Sequence, residues 1–191
     1  NAHGKQCRAE GPRLDTEKAL TALDAYIAGV RSGTRAQIGV REARGTLWNA
    51  AIRAGQSPRG LFTMTAPTGS GKTLAMLRFA LEHAGQHGMK RIVLAVPFLT
   101  VIEQTARVYR QVFTGVHDNF VLEHHSLAGL GAESDKRDAE GSQERQRRLL
   151  AENWDAPIVL TTNVQLLESI FSNRPSSCRK LHNLMDSVIL F

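Results

Sequence analysis

Ala66-Pro67-Thr68-Gly69-Ser70-Gly71-Lys72-Thr73 is a loop sequence with a narrow physical meaning. Gly69 and Gly71 permit a backbone tight enough for successive N–H groups to converge on one point, where a helix begins and its first N–H groups lack acceptors. Such a nest holds phosphate. The Lys72 ammonium is expected to reach the β and γ phosphates of a nucleotide, and the Thr73 hydroxyl to ligate Mg²⁺. Pro67, Thr68 and Ser70 complete the expected cradle. A strand predicted over 60–65 and an amphipathic helix predicted over 72–83 give the loop the strand, loop, helix setting it requires.

Downstream the pattern alternates. Strands are predicted over 91–96, 120–123, 157–160 and 187–191, and helices over 99–113, 144–153 and 164–171. Short β-branched strands separated by helices predict an α/β fold with a parallel sheet covered on both faces by right-handed crossovers. Ligands of such sheets sit at the carboxyl ends of the strands. Upstream, Leu20, Leu23, Tyr26, Ile27 and Val30, then Leu47 and Ile52, recur at helical spacing and predict helices over 14–30 and 44–54. Residues 1–13 are polar and Gly-containing, a linker or arm, and 128–143 are Gly-rich and mixed in charge, a mobile loop.

The remaining 14–191 suffice for one domain, with 42% hydrophobic residues among 191. Lys and Arg number 24 against 18 Asp and Glu, a net charge of +6, which suits an anionic partner such as nucleic acid. Cys7 and Cys178 form neither a disulfide framework nor a paired metal motif, which fits a reducing, cytoplasmic setting. The longest apolar stretch, 92–102, is broken by Pro97 and Thr100 and falls short of the ~20 residues that span a bilayer. Neither a membrane segment nor a charged-then-apolar leader is read.

A phosphate loop alone does not choose among kinases, motors and helicases. Its general pattern begins with Gly where this chain has Ala66, but helicases of superfamily two commonly carry Ala-x-Thr-Gly-Ser-Gly-Lys-Thr. Val96-Pro97-Phe98-Leu99-Thr100, followed by Glu103 and Gln104, resembles the helicase motif in which a loop at a strand's carboxyl end grips a nucleic-acid backbone. Thr161-Thr162-Asn163 resembles the next such motif, with small polar side chains suited to phosphate and sugar. Pro97, Phe98, Thr100, Thr161, Thr162 and Asn163 are therefore expected nucleic-acid contacts, although Thr100, Thr162 and Asn163 also suit plain helix caps.

Longer words narrow the likeness. Leu61 to Thr73, Glu123-His124-His125-Ser126, Glu152-Asn153-Trp154-Asp155-Ala156-Pro157-Ile158, and Phe171-Ser172-Asn173-Arg174-Pro175-Ser176-Ser177 resemble the CRISPR-associated helicase-nucleases of type I interference systems, over about 40–191. The resemblance implies a RecA-like phosphate-loop NTPase domain, ATP and Mg²⁺ as cofactors, and Lys72 and Thr73 as its catalytic pair. Single-stranded DNA, an RNA-guided surveillance complex, a second RecA-like domain and a histidine-aspartate nuclease domain are the implied partners. It also implies that the chain stops just before the acidic Asp-Glu-Ala-His-like motif, so that this stretch alone binds nucleotide without hydrolysing it.

Other features have plainer readings. His117-Asp118 lacks further metal-ligand spacing and is expected in a surface turn. His124 and His125 either touch DNA or order the following loop. Cys178 and His182, a helical turn apart, are read as helix-face residues, and Arg145, Arg147 and Arg148 as a solvated face. The rival readings are another superfamily-two helicase, which would want an upstream adenine-reading Gln such as Gln37, and a nucleotide- or DNA-binding module without catalysis. A small-molecule kinase fits least.

Overall fold

The computed structural model describes residues 11–33, 38–125, 150–172 and 179–191. Strands β1 (Arg91–Val96), β2 (Val121–His124), β3 (Ile158–Thr162) and β4 (Ser187–Leu190) form one sheet in the order β2-β3-β1-β4. Every pairing is parallel. The inner strands β1 and β3 read as near-continuous apolar runs, Arg-Ile-Val-Leu-Ala-Val and Ile-Val-Leu-Thr-Thr, as strands covered on both faces must.

Alternate side chains of these strands enter two separate cores. On one face, Ile92, Leu94, Ile158 and Leu160 pack with helices α1 (Thr16–Gly33), α2 (Ile38–Gly55), α3 (Lys72–His87) and α4 (Leu99–Val112), through Leu23, Ala51, Leu77, Leu81, Ile102 and Tyr109. On the other, Val93, Ala95 and Val159 pack with Trp154, with Leu166 of α5 (Asn163–Phe171) and with Leu184 of the short α6 (Leu181–Leu184). Each fully buried Leu, Ile or Val contributes roughly 1.5–3 kcal/mol, so this sheet is the stable frame on which the loops are carried.

The word Glu152 to Ile158 is explained by that second core. Residues 150–153 are helical, Trp154 ends the helix in a left-handed conformation (φ 56), and the Asp155 N–H returns to the Leu150 carbonyl at 3.0 Å. The reversal puts the Trp154 ring beneath the sheet and starts β3. Arg91 then holds the Asp155 carboxylate at 2.5 Å, and the Gly11 N–H donates to the same carboxylate at 2.9 Å.

One expected strand is not formed. Residues 61–67 are neither helix nor strand, although Leu-Phe-Thr-Met-Thr has strong β propensity. A strand exists only by pairing, and the edge of β4 away from β1 has no partner among the described residues. Leu61 is 96% exposed. The Phe62 ring lies instead on α3, 5.0 Å from Phe79 and 5.4 Å from His83, so side-chain packing overrides local preference. The α6 turn, four residues long, has no periodicity in the sequence to predict it. The arm at 1–10, the loop at 128–143, Gln37, Arg145, Arg147, Arg148 and Cys178 lie outside the described residues.

Candidate nucleotide site

Only residues 88–90 separate α3 from β1. The helix therefore runs antiparallel to that strand, and its N terminus stands at the carboxyl edge of the sheet. Gly71 caps it with φ 83 and ψ 26, and no side chain hydrogen-bonds to the helix end. Gly69 is also left-handed, at φ 80. A Cβ at Gly69 would meet nothing within 4 Å, so the need for glycine there is conformational rather than steric. The Ser70 N–H closes a turn on the Pro67 carbonyl at 3.3 Å, and the Leu74 and Ala75 N–H groups both return to the Gly71 carbonyl, at 3.2 and 3.1 Å. The N–H groups of Lys72 and Thr73 are left without an intrahelical acceptor, at the end where the helix dipole favours an anion.

The side chains suit the same ligand. Lys72 and Thr73 are exposed, and no ion pair of Lys72 occurs among the described residues. The Ser70 hydroxyl is buried with no partner. From below, the Tyr109 hydroxyl of α4 donates to the Thr73 carbonyl at 3.4 Å, and burial raises its pKa, keeping the proton in place. An anion-binding nest, a free ammonium and a hydroxyl thus converge at one helix end, as a magnesium-bound triphosphate requires.

The DEAD/DEAH box helicase family matches residues 49–190. The chain belongs to that family. It is also similar to the CRISPR-associated nuclease/helicase Cas3 of Haloferax volcanii, 33% identical over 140 residues, which cover 67% of this chain and 15% of that protein. The likeness expected from the sequence is thereby borne out, for a chain that spans about 15% of the length of the curated relative it matches.

In this helicase domain the two loops expected to meet nucleic acid are brought side by side. Val96 of β1 pairs in register with Thr162 of β3, so Pro97-Phe98 and Asn163 leave neighbouring strands at the same level. Pro97, Phe98 and Thr100 are exposed. Phe98, not Thr100, occupies the cap position of α4, and no side chain caps that helix. At α5 the cap reading holds for Thr162, whose hydroxyl accepts from the Gln165 N–H at 3.1 Å. Thr161 is fully buried, and its hydroxyl donates to the His124 carbonyl at 2.7 Å, so it ties β3 to β2. Asn163 keeps a buried carbonyl oxygen without a partner.

His124 sits edge-on to Trp154, ring centroids 6.0 Å apart, with its Nδ1 buried and unpartnered. Burial, then the nearby Lys180 and His125 charges, lower its pKa to about 4, so it is neutral near pH 7 and is not a cationic phosphate contact. Lys180 is buried over the Trp154 ring, 5.0 Å from its centroid. Burial lowers its pKa, against the opposing pull of Glu168. His117 and Asp118 lie exposed in a turn, where the Asn119 N–H donates to His117 Nδ1 at 3.0 Å. His182 is exposed on α6. Among the described residues no group of three or more His, Cys, Asp or Glu is placed to hold a metal, and no helix is long and apolar enough to cross a membrane. A cavity of about 750 Å³ opens at the opposite, amino edge of the sheet, between Gly88, Arg91, Asp155 and Asn183, away from the loop.

Tyr109 and Arg44 both touch the loop region, and no motif in the sequence marks either as a site residue. Tyr109 belongs to the buried stripe of α4, with Ile102, Ala106 and Val112, and looks like core. Arg44 carries no motif around it.

Proposed function

We propose that this chain is the nucleotide-binding portion of an ATP-driven translocase on single-stranded DNA, serving CRISPR type I interference in the cytoplasm. The observation that carries the nucleotide reading is the uncapped, solvent-facing N terminus of α3 with an unpaired Lys72 beside it. Pro67 to Thr73 cradle the phosphates, Lys72 neutralises the outer ones and Thr73 holds the magnesium ion. ATP supplies the free energy for movement when bound. Pro97, Phe98, Thr100 and Asn163 offer a strand backbone the carboxyl edge of β1 and β3, while Thr161 and Thr162 hold the chain that presents Asn163. The DNA reading is supported by the similarity to a nuclease/helicase and by the net charge of +6. In the whole protein a second RecA-like domain and a histidine-aspartate nuclease domain act with this one, and an RNA-guided surveillance complex recruits it.

Calorimetry with magnesium-ATP tests the site. The protein is expected to bind, and Lys72→Ala to weaken binding about a hundredfold, close to 3 kcal/mol. Equal affinity of the two would refute the assignment of the loop.

A further inference from the structure

The phosphate loop is gripped from outside by a residue that precedes it by 25 positions. Arg44 lies in α2, and both its Nε and its Nη2 donate to the Gly69 carbonyl, at 3.3 and 3.1 Å. Its aliphatic stem covers the second loop glycine, with Cγ 3.9 Å from where a Gly71 Cβ would stand. One side chain therefore spans both left-handed glycines. Its base is fixed, because α2 packs directly on α3: Ala51 is buried between them, and a Cβ on Gly55 would come within 2.5 Å of the Glu82 Cβ. The family match begins at residue 49, so Arg44 falls outside it.

The peptide plane makes this contact consequential. The Gly69 carbonyl and the Ser70 N–H belong to one planar unit, and that N–H closes the turn on Pro67. Anchoring the carbonyl with a two-pronged cationic donor fixes the plane, and with it the direction of the N–H groups that follow. Glycine on both sides of Ser70 would otherwise leave the loop many conformations to lose on binding an anion. Arg44 meets no carboxylate in any ion pair among the described residues, so its charge stays beside the cradle undiminished.

We propose that Arg44 is a positioning residue of the phosphate cradle, holding the Gly69–Ser70 peptide so that the loop is preorganised for a triphosphate. This deepens the nucleotide reading above and rests on it. The test is calorimetry of the protein, Arg44→Ala and Arg44→Lys with magnesium-ATP and with magnesium-tripolyphosphate, which has no base or sugar, alongside thermal melting without ligand. Arg44→Ala is expected to weaken both ligands by the same factor, about tenfold for one exposed charge-assisted contact, with the ligand-free melting temperature unchanged. Arg44→Lys, which offers an ammonium without the fork, is expected to recover part of the loss for both. Unchanged affinity for both ligands overturns the proposal, as does a loss confined to ATP, which would make Arg44 a base or sugar contact. A lower ligand-free melting temperature with full affinity retained would make the contact purely structural. Failure of the unsubstituted protein to bind either ligand refutes the nucleotide reading itself and removes the basis for this one.

Discussion

Two helices begin at the same edge of the same sheet, and they treat their free N–H groups in opposite ways. At α5 the chain satisfies itself: Thr162 accepts from Gln165, and Thr161 just before it is tied to the His124 carbonyl. At α3 nothing of the kind occurs. The cap is a glycine with no side chain to offer, and the neighbouring cation is unpaired and exposed. An N terminus closed by its own chain is architecture, whereas one left open behind two left-handed glycines and beside an unpaired lysine suits an anion. The difference lies in which hydrogen bonds are already made.

The closed side should reveal itself by pH. His124 is neutral in the folded protein down to about pH 4, while the unfolded chain takes up that proton near 6.5. A folded-state pKa below the unfolded one means stability is full above pH 6.5 and is lost as pH falls toward 4. The loss amounts to about 3 kcal/mol at most, from the 1.36 kcal/mol per pKa unit. His83, whose pKa is lowered chiefly by burial, adds a slope of the same sign. Urea titrations across that range should show the decline, and His124→Asn should flatten it. A pH-independent His124→Asn difference would contradict the buried, neutral ring.

Next in size is the open side. Gly71→Ala places a side chain at φ 83 and should cost roughly 1–2 kcal/mol of folding stability, with nucleotide affinity reduced as the cradle distorts. If urea midpoints do not move, the left-handed cap is not required. The smallest effect is expected at the cap of α5, where Thr162→Ala should cost about 1 kcal/mol, Thr162→Ser little, and nucleotide affinity should stay as in the unsubstituted protein.

Much of this was legible because parallel strands buried on both faces announce themselves as apolar runs; β1 stands at 91–96 as the sequence predicts. The phosphate loop was legible because its glycines and lysine each have a distinct physical task. The strand expected at 60–65 failed because pairing is not a local property, and Phe62 found better company on α3. Thr161 read as a DNA contact by its neighbours in sequence, yet its hydroxyl is consumed by the strand beside it. Arg44 was invisible, since nothing in a helix sequence shows that its side chain will meet a carbonyl 25 residues later. The short α6 has too few residues for any periodicity to appear.

The most direct measurement is an amide NMR titration with magnesium-ATP that follows both helix starts at once. The account predicts large shifts for the N–H groups of Gly71, Lys72 and Thr73 and slowed exchange there, with those of Thr162 to Gln165 unmoved. Shifts at α5 without shifts at α3, or binding that leaves the Lys72 and Thr73 amides unchanged, would contradict it.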